Sequence, residues 1–236
     1  MRDDEPISSY EPMMSPERAA KLREWHERAI AEGRRDETLT LNHLGWTFVV
    51  PPVVYPPHAL GLAEIVLREA QADDRVLDMG TGSGVNAIAA ASRGATVLAV
   101  DVSHVAVDAA RQNAELNGLR GQIEVDVSDV FDNVSGRFDL IVFDPPYRWF
   151  APRDLLERGT GDENYGALTR FFSEVDDYLA PAGRIIVSFG TTGDIDYLHR
   201  LIDLASLDTE ELRKVEGEKD GLAVAYFAYR LTRRGD

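Results

Sequence analysis

Strand-like and helix-like segments alternate along most of this chain, and the alternation constrains the fold more than any other feature. The apolar runs are 75–78, 95–101, 123–127, 138–144, 184–190, 211–216 and 222–231. Segments with apolar residues at helical spacing are 59–70, 85–92, 103–116, 163–179 and 194–205. This order predicts parallel strands joined by right-handed helical crossovers, and Asp220-Gly221 predicts a tight closing hairpin. We expect an α/β fold with a doubly wound, mostly parallel seven-stranded sheet and a C-terminal antiparallel hairpin.

A smaller N-terminal extension is expected before this sheet. Ser15-Pro16 is typical of a helix start, and the helical periodicity ends at Gly33. Residues 39–50 contain two extended runs around a short turn, which predicts a β-hairpin. A proline-rich connector follows. We place the boundary near His58, so that a helix and hairpin (1–58) cover the ligand-binding side of the main domain (59–236), with residues 1–14 unstructured.

Composition excludes several kinds of site. The chain has 236 residues and no cysteine, which rules out disulfides, zinc–thiolate centres and thiol catalysis. It has neither a membrane-length apolar run nor a signal-peptide pattern, so we expect a cytoplasmic protein with no membrane partner. The five histidines have no metal-ligand spacing; we expect no metal site, and expect His26 and the others at the surface or at helix caps. The sequence leaves the oligomeric state open.

The charge balance bears on the partner. The net charge is −16, and no stretch is rich in lysine or arginine. Nucleic-acid binding depends on cationic contacts with phosphates, so nucleic acid is disfavoured as a partner. The acidic balance is explained either by solubility or by attraction of a cationic small substrate.

A glycine loop, Asp78-Met79-Gly80-Thr81-Gly82-Ser83-Gly84, joins the first strand to a helix. Glycines there let the backbone turn sharply and approach a ligand closely. The dinucleotide fingerprint G-x-G-x-x-G requires glycine at position 85, where this chain has Val85. The spacing G-x-G-x-G, with an acid two residues before it, instead predicts S-adenosylmethionine as cofactor, unless the loop is a tight turn without ligand. The expected cofactor contacts in the loop are Asp78, Gly80, Thr81, Gly82 and Gly84.

Two more acids follow neighbouring strands. Asp101 ends the second strand, where an acid can accept hydrogen bonds from both ribose hydroxyls, and Val102 adjoins it. Asp129 follows the third strand, positioned to accept from an adenine amino group while Val130 or Phe131 packs on the ring. Alternatively, Asp101 merely precedes a helix capped by Ser103, and Asp129 is a turn residue. Because the carboxyl ends of parallel strands share one edge of the sheet, we expect one pocket.

The tetrapeptide Asp144-Pro145-Pro146-Tyr147 follows a continuously apolar strand. The Asp144 carboxylate and the Pro145 carbonyl offer two acceptors to a planar NH2 group, and Tyr147 offers a ring for stacking. Those hydrogen bonds would orient the amine and favour its nucleophilic, pyramidal form. The motif therefore predicts methyl transfer to nitrogen, with Asp144, Pro145 and Tyr147 as catalytic residues and Asp144 also bordering the cofactor. The alternative is a proline turn with Tyr147 in the core.

The segment after the tetrapeptide is expected to help bind the acceptor. The candidates for acceptor contact are Pro146, Tyr147, Arg148, Trp149 and, from the N-terminal connector, Tyr55. Residues 148–162 are long for a connection between a strand and a helix, and such loops often act as lids. Equally, Trp149 could pin the loop to the core.

Over roughly residues 43–190 these motifs resemble class I S-adenosylmethionine-dependent methyltransferases of the amino-methyltransferase branch, most nearly the release-factor glutamine methyltransferases. The resemblance implies a Rossmann-like methyltransferase fold, cofactor contacts from the loop and strand-end acids, and an acceptor held by the tetrapeptide. That family usually has asparagine where this chain has Asp144, so the glutamine substrate does not follow.

Three functions remain open from sequence. The first is an N-methyltransferase for a guanidino, amide or amine nitrogen of a small molecule such as arginine, or of a protein side chain. The second is an adenine N6-methyltransferase acting on RNA or DNA, which uses the same tetrapeptide. The third is a non-catalytic binding protein.

Overall fold

The structure is a computed structural model that describes residues 10–57 and 61–235. The helices are α1 (Pro16–Gly33), α2 (Leu62–Glu69), α3 (Val85–Ala91), α4 (His104–Leu116), α5 (Leu155–Arg158), α6 (Gly166–Tyr178) and α7 (Ile195–Leu204), with a 3₁₀ turn at Glu163–Tyr165. The strands are β1 (Leu39–His43), β2 (Trp46–Val50), β3 (Arg75–Met79), β4 (Thr96–Asp101), β5 (Ile123–Val127), β6 (Phe138–Phe143), β7 (Leu179–Gly190), β8 (Leu207–Lys219) and β9 (Leu222–Arg233).

The main sheet has seven strands in the order β5-β4-β3-β6-β7-β9-β8. Strands β3 to β7 pair in parallel, whereas β9 is antiparallel to both β7 and β8. The expected doubly wound α/β fold with an antiparallel C-terminal hairpin is therefore confirmed. After β3 the chain first adds strands on one side and then, from β6, on the other. Ligands bind at such a switch point, beyond the carboxyl ends of the strands.

The central strand β6 is apolar throughout because both of its faces are buried. Leu140 and Val142 pack into the core on one side of the sheet, and Ile141 and Phe143 into the core on the other. Side chains alternate between faces along a strand, so only a continuous apolar run can fill both cores. This packing holds the carboxyl end of β6, and with it Asp144, in a fixed position.

Strand β8 is longer than the sequence predicts. It begins at Leu207 rather than 211 and pairs with β9 along its whole length, from Leu207↔Arg233 to Lys219↔Leu222. Most of its side chains are exposed and many are charged, so its apolar pattern is weak at both ends. The connecting Asp220-Gly221 has positive φ at both residues (50° and 77°), as a tight hairpin turn requires.

The N-terminal helix and the β1–β2 hairpin are present as expected. The hairpin docks on α4 through side-chain amides: Asn113 accepts a hydrogen bond from the Val49 N–H and donates to the Val49 carbonyl. Asn117 makes the same pair of bonds with Thr47. Two asparagines one helical turn apart thus act as a substitute strand edge for the hairpin.

The expectation of an unstructured segment before the first helix is wrong for residues 10–14. The Tyr10 hydroxyl and the Met13 N–H both donate to Asp194, at 2.9 and 2.6 Å. The Tyr10 ring meets Tyr165 edge-on, at 4.9 Å between centroids. An aromatic anchor, rather than a helix or strand, holds this segment to the core. Residues 1–9 and the proposed boundary near His58 lie outside the described residues.

Among the described residues, no helix has both the length and the apolarity needed to cross a membrane.

Candidate active site

The two sequence motifs open into one cavity of about 630 Å³ at the carboxyl ends of the central strands. This volume is within the usual range for small-molecule and cofactor sites. The sequence-predicted site residues that line it are Tyr55, Gly80, Thr81, Gly82, Asp101, Val102, Asp144, Pro145, Pro146, Tyr147 and Arg148. The cavity therefore joins the glycine loop to the tetrapeptide.

The three glycines of the loop have different structural roles. All have positive φ (70° at Gly80, 54° at Gly82, 84° at Gly84), a conformation that favours glycine. A Cβ at Gly80 or Gly82 would meet no atom within 4 Å, so a ligand can approach the backbone there. At Gly84 it would lie 3.2 Å from Ala110 of α4. Gly84 thus permits close helix packing and is not among the residues that line the cavity.

Asp78 lies buried beneath the loop. Its Oδ2 accepts hydrogen bonds from the Thr81 hydroxyl at 2.5 Å and from the Ala87 N–H at 3.1 Å. Its Oδ1 is buried without a hydrogen-bond partner among the described residues. Burial raises the pKa of Asp78 to about 7, and the nearby charges of Asp101 and Asp144 act in the same direction. A buried oxygen without a donor is costly, so it marks a position where a ligand donor is favourable.

Asp101 ties the glycine loop to α4. Its Oδ2 accepts from the Gly82 N–H at 3.0 Å, and its Oδ1 accepts from the Ser103 N–H at 2.9 Å. Burial raises the pKa of Asp101. Each carboxylate oxygen has a second lone pair, which leaves capacity for ligand hydroxyls.

Asp144 stands half-buried at the end of β6 with one oxygen engaged. Its Oδ1 accepts a hydrogen bond from the Ser188 hydroxyl and a longer one, 3.4 Å, from the Tyr147 hydroxyl. Its Oδ2 makes no hydrogen bond within the described residues. One face of this carboxylate is thus fixed, and one oxygen is available to a ligand.

The ring of Tyr147 packs against other aromatic side chains. It lies 5.0 Å from Phe189 and 6.2 Å from Tyr226, measured between centroids. Burial, together with the nearby Asp144 charge, raises the pKa of the Tyr147 hydroxyl well above its usual range. The neutral hydroxyl can therefore support the Asp144 carboxylate while the ring lines the cavity.

Asp78 and Gly84 do not line the cavity, and three further predicted contacts are also absent from its wall. Asp129 is exposed, and its carbonyl accepts from Arg170 at 3.2 Å, while Val130 is buried in the core. Trp149 is also buried, packed against Phe150 and His26. The loop after Tyr147 folds back on itself and turns the indole inward, so Trp149 does not line the cavity.

The loop 148–162 is pinned to the protein. Leu156 is buried, and the carboxylate of Glu157 pairs with Arg34 at 3.1 Å and with Arg153 at 2.9 Å. Its ends meet through the Arg148 N–H and carbonyl, which bond to Thr160 and Asp162. Of the two interpretations from sequence, this geometry favours a loop anchored to the core.

His26 corrects the expectation that the histidines are at the surface. It is 2% exposed. Its Nε2 donates to the Thr192 carbonyl at 2.7 Å, so its Nδ1 is the acceptor for the Arg148 Nε–H at 3.0 Å. Burial lowers the pKa of His26 to about 4, and the Arg148 charge adds to this. His26 follows the buried Leu22 and precedes the buried Ile30 by one helical turn each, a periodicity that could have revealed it.

The sequence did not reveal the role of Ser188 or the position of the predicted β8–β9 hairpin at the cavity. The parallel register Phe143↔Val187 places Ser188 beside Asp144, a relationship that depends on strand pairing. Residues 215–219 of the hairpin line the same cavity as the glycine loop. Within the described part of the chain, no group of three or more metal-ligand side chains is close enough to hold a metal ion.

A mostly parallel seven-stranded sheet of this order, with a G-x-G-x-G loop and an acid-Pro-Pro-Tyr motif in one cavity, defines a class I methyltransferase domain. The chain matches the family described as Methyltransferase small domain over residues 62–201, and it belongs to that family. The resemblance seen in the sequence is therefore confirmed.

Two relatives carry names that refer to methylation of glutamine. A protein of Methanocaldococcus jannaschii, provisionally named a protein N5-glutamine methyltransferase, is 34% identical over 134 residues, covering 53% of this chain and 67% of the relative. The release factor glutamine methyltransferase of Streptococcus pneumoniae is 35% identical over 150 residues, covering 57% of this chain and 52% of the relative. The chain thus spans about half to two thirds of their length.

Solved structures show the same fold. The ribosomal protein L11 methylase of Lactobacillus delbrueckii subsp. bulgaricus matches with a TM-score of 0.57 and 26% identity, covering 77% of this chain and 81% of that one. The tRNA m1G37 methyltransferase of M. jannaschii matches with a TM-score of 0.62 and 20% identity, covering 84% and 57%. The second likeness shows the fold alone, and a nucleic-acid acceptor stays disfavoured only by the charge of the sequence.

Proposed function

We propose that this protein is an S-adenosylmethionine-dependent N-methyltransferase that acts on a planar nitrogen. One observation carries the proposal: the half-engaged carboxylate of Asp144 opens into the same cavity as the exposed backbone of Gly80 and Gly82. A methyl donor on the loop and a nitrogen on the carboxylate would therefore meet within one cavity.

The glycine loop fits the proposed cofactor. The open backbone at Gly80 and Gly82 accommodates a bulky ligand, and the unpartnered Oδ1 of Asp78 suits an ammonium group. Asp101 suits the ribose hydroxyls. When bound, S-adenosylmethionine supplies a sulfonium methyl group, which passes to a nitrogen lone pair while the C–S bonding electrons stay on sulfur.

The tetrapeptide fits the acceptor. Asp144 Oδ2 and the Pro145 carbonyl offer two acceptors to the nitrogen's hydrogens, which fixes the direction of its lone pair. Ser188 and Tyr147 hold the carboxylate in place from the other side. As the new N–C bond forms, positive charge develops on nitrogen beside Asp144, and one proton leaves to that carboxylate or to solvent.

The chemistry at Asp144 favours a guanidino or amine nitrogen over an amide. A carboxylate only accepts hydrogen bonds and stabilises a cation, whereas the asparagine usual in the glutamine-modifying family also donates to an amide oxygen. We propose an acceptor such as arginine or a protein side chain, in the cytoplasm, consistent with a chain that lacks cysteine.

Radioactive methyl transfer tests the proposal. Purified protein with labelled S-adenosylmethionine should methylate a member of a panel of amino acids, guanidino compounds and glutamine-containing peptides. The Asp144→Ala variant should lose this transfer of label, because it lacks the carboxylate that orients the nitrogen. Transfer exclusively to tRNA, rRNA or DNA would show instead an adenine methyltransferase, and absence of S-adenosylhomocysteine binding would contradict the proposal entirely.

A further inference from the structure

Arg148 stands out among the cationic side chains of the described chain. It is the only arginine or lysine there that is buried, at 7% exposure. Burying a guanidinium is costly unless an anion or a dense set of hydrogen bonds compensates it. The groups around Arg148 therefore indicate whether a ligand anion is needed to compensate its charge.

The partners of Arg148 are neutral. Its Nε donates to the imidazole of His26 at 3.0 Å, and its Nη1 donates to the hydroxyl of Thr160. His26 carries no negative charge that could compensate the guanidinium, because its Nε2 keeps its proton and donates it to the Thr192 carbonyl. The Nη2 group makes no hydrogen bond within the described residues.

No carboxylate compensates this charge, although the chain is strongly acidic. Arg148 makes no ion pair among the described residues. The contrast is Glu157 on the same loop, whose buried carboxylate has two arginine partners, Arg34 and Arg153. The buried carboxylate of Glu157 thus has two cationic partners. The buried guanidinium of Arg148 has no anionic partner among the described residues and is held by neutral groups alone.

Arg148 belongs to the same cavity as Asp144. Both residues line it, and so does Arg158, which is exposed and makes no ion pair within the described chain. Four residue steps separate Asp144 from Arg148, so their Cα atoms are at most roughly 14 Å apart. One small molecule can therefore contact an anionic group at one end and a cationic fork at the other.

We propose that Arg148 binds a carboxylate of the methyl acceptor, so that the acceptor is a small amino or guanidino acid whose nitrogen end lies at Asp144. This inference rests on the proposed function and specifies its substrate class. A guanidinium presents a planar fork that matches a carboxylate with two parallel hydrogen bonds. A glutamine side chain inside a polypeptide has no such group and would leave the cation without a partner.

Matched acceptor pairs test the inference. Labelled methyl transfer is measured for L-arginine against agmatine, guanidinoacetate against methylguanidine, and L-glutamine against 4-aminobutanamide, with a terminally blocked glutamine peptide and tRNA alongside. We expect the enzyme to methylate at least one carboxylate-bearing acceptor with a kcat/KM about 100-fold above that of its decarboxylated partner. Arg148→Met should remove most of that preference through KM, and Arg148→Lys should retain part of it.

The controls separate the possible failures. Arg93→Met removes an exposed arginine away from the cavity and should leave the preference unchanged. If Arg148→Met does not fold, the test uses Arg148→Lys together with the wild-type ratio of kcat/KM within each acceptor pair. Equal use of both members of each pair, or methylation only of the blocked peptide or tRNA, overturns this inference alone. So does S-adenosylhomocysteine binding without methylation of any carboxylate acceptor, whereas absence of that binding overturns the proposed function itself.

Discussion

The Ser188 hydroxyl donates a hydrogen bond to the carboxylate of Asp144, from the neighbouring strand of the sheet. The bond exists because β6 and β7 run in parallel with Phe143 beside Val187, which brings the next residues of both strands together. It fixes the carboxylate on one side and leaves Oδ2 for the acceptor. Ser188 is therefore a positioning residue in the proposed site.

Ser188→Ala should lower kcat by about tenfold with little change in the affinity for S-adenosylhomocysteine. Its loss frees the Asp144 carboxylate to rotate, and misorientation of a catalytic group is costly in rate. Steady-state methylation and isothermal titration calorimetry measure the two quantities. The matched control is Ser173→Ala, which removes an exposed hydroxyl that bonds only to the carbonyl of Arg170 in its own helix. An unchanged kcat in Ser188→Ala would show that Tyr147 and the backbone suffice to place the carboxylate.

Cofactor binding should strengthen as the pH rises from 6 to 8. Burial raises the pKa of Asp78 to about 7, so this carboxyl is mostly protonated at pH 6 and ionised at pH 8. Only the ionised form attracts an ammonium group, and we expect affinity for S-adenosylhomocysteine to change on the order of tenfold across this range. Calorimetry in buffers of different ionisation enthalpy should also show proton release at pH 6.5.

The Asp78→Asn variant is the control for this pH effect. It should bind more weakly and with a flat pH profile between 6 and 8. For the stability of the unliganded wild-type protein, the pH dependence runs in the opposite direction. Because the pKa of Asp78 in the folded protein lies above the unfolded value of 3.8, this group lowers the free energy of unfolding as the pH rises from about 4 to about 7. An equally steep binding profile in Asp78→Asn would assign the pH dependence to another group.

Two glycine substitutions should have separable effects. Gly82→Ala puts a methyl group into the open part of the cavity and should weaken S-adenosylhomocysteine binding strongly, with a conformational cost of about 1–2 kcal/mol. Gly84→Ala has the same conformational cost and a contact of 3.2 Å with Ala110, so it should destabilise more and affect affinity less. Urea unfolding and calorimetry of both variants measure this, and equal affinity losses would disagree with the distinction.

Stability should fall in mild acid through His26. Burial lowers its pKa to about 4, below the ordinary 6.5, so the unfolded chain takes up this proton first. Between pH 7.5 and 5.5 this residue should reduce the free energy of unfolding by about 1 kcal/mol. Urea unfolding at both pH values should show that difference between the wild type and His26→Gln, and parallel pH dependences would contradict it.

The sequence predicted the parts of the fold and site that depend on local chemistry. Strand–helix alternation, the positive-φ turn at Gly80 and Gly82, and the position of Asp144 after a doubly buried strand all follow from residue type and spacing. They were identified because each occupies a contiguous stretch of chain.

The parts that sequence reasoning missed depend on pairing between distant segments. Ser188 reaches Asp144 only through the β6–β7 register, and His26 meets Arg148 across 122 positions of the chain. The inward turn of Trp149 and the packing role of Gly84 depend on which helix or loop lies opposite. Local patterns do not contain that information.

In the proposed mechanism, Asp144 orients the nitrogen acceptor beside a cofactor held by the glycine loop. The most direct test compares wild type with Asp144→Ala for S-adenosylhomocysteine affinity and for methylation of the best acceptor. The account predicts nearly unchanged affinity and a loss of kcat of about 100-fold or more. Full methylation by Asp144→Ala, with the cofactor still bound, would contradict it.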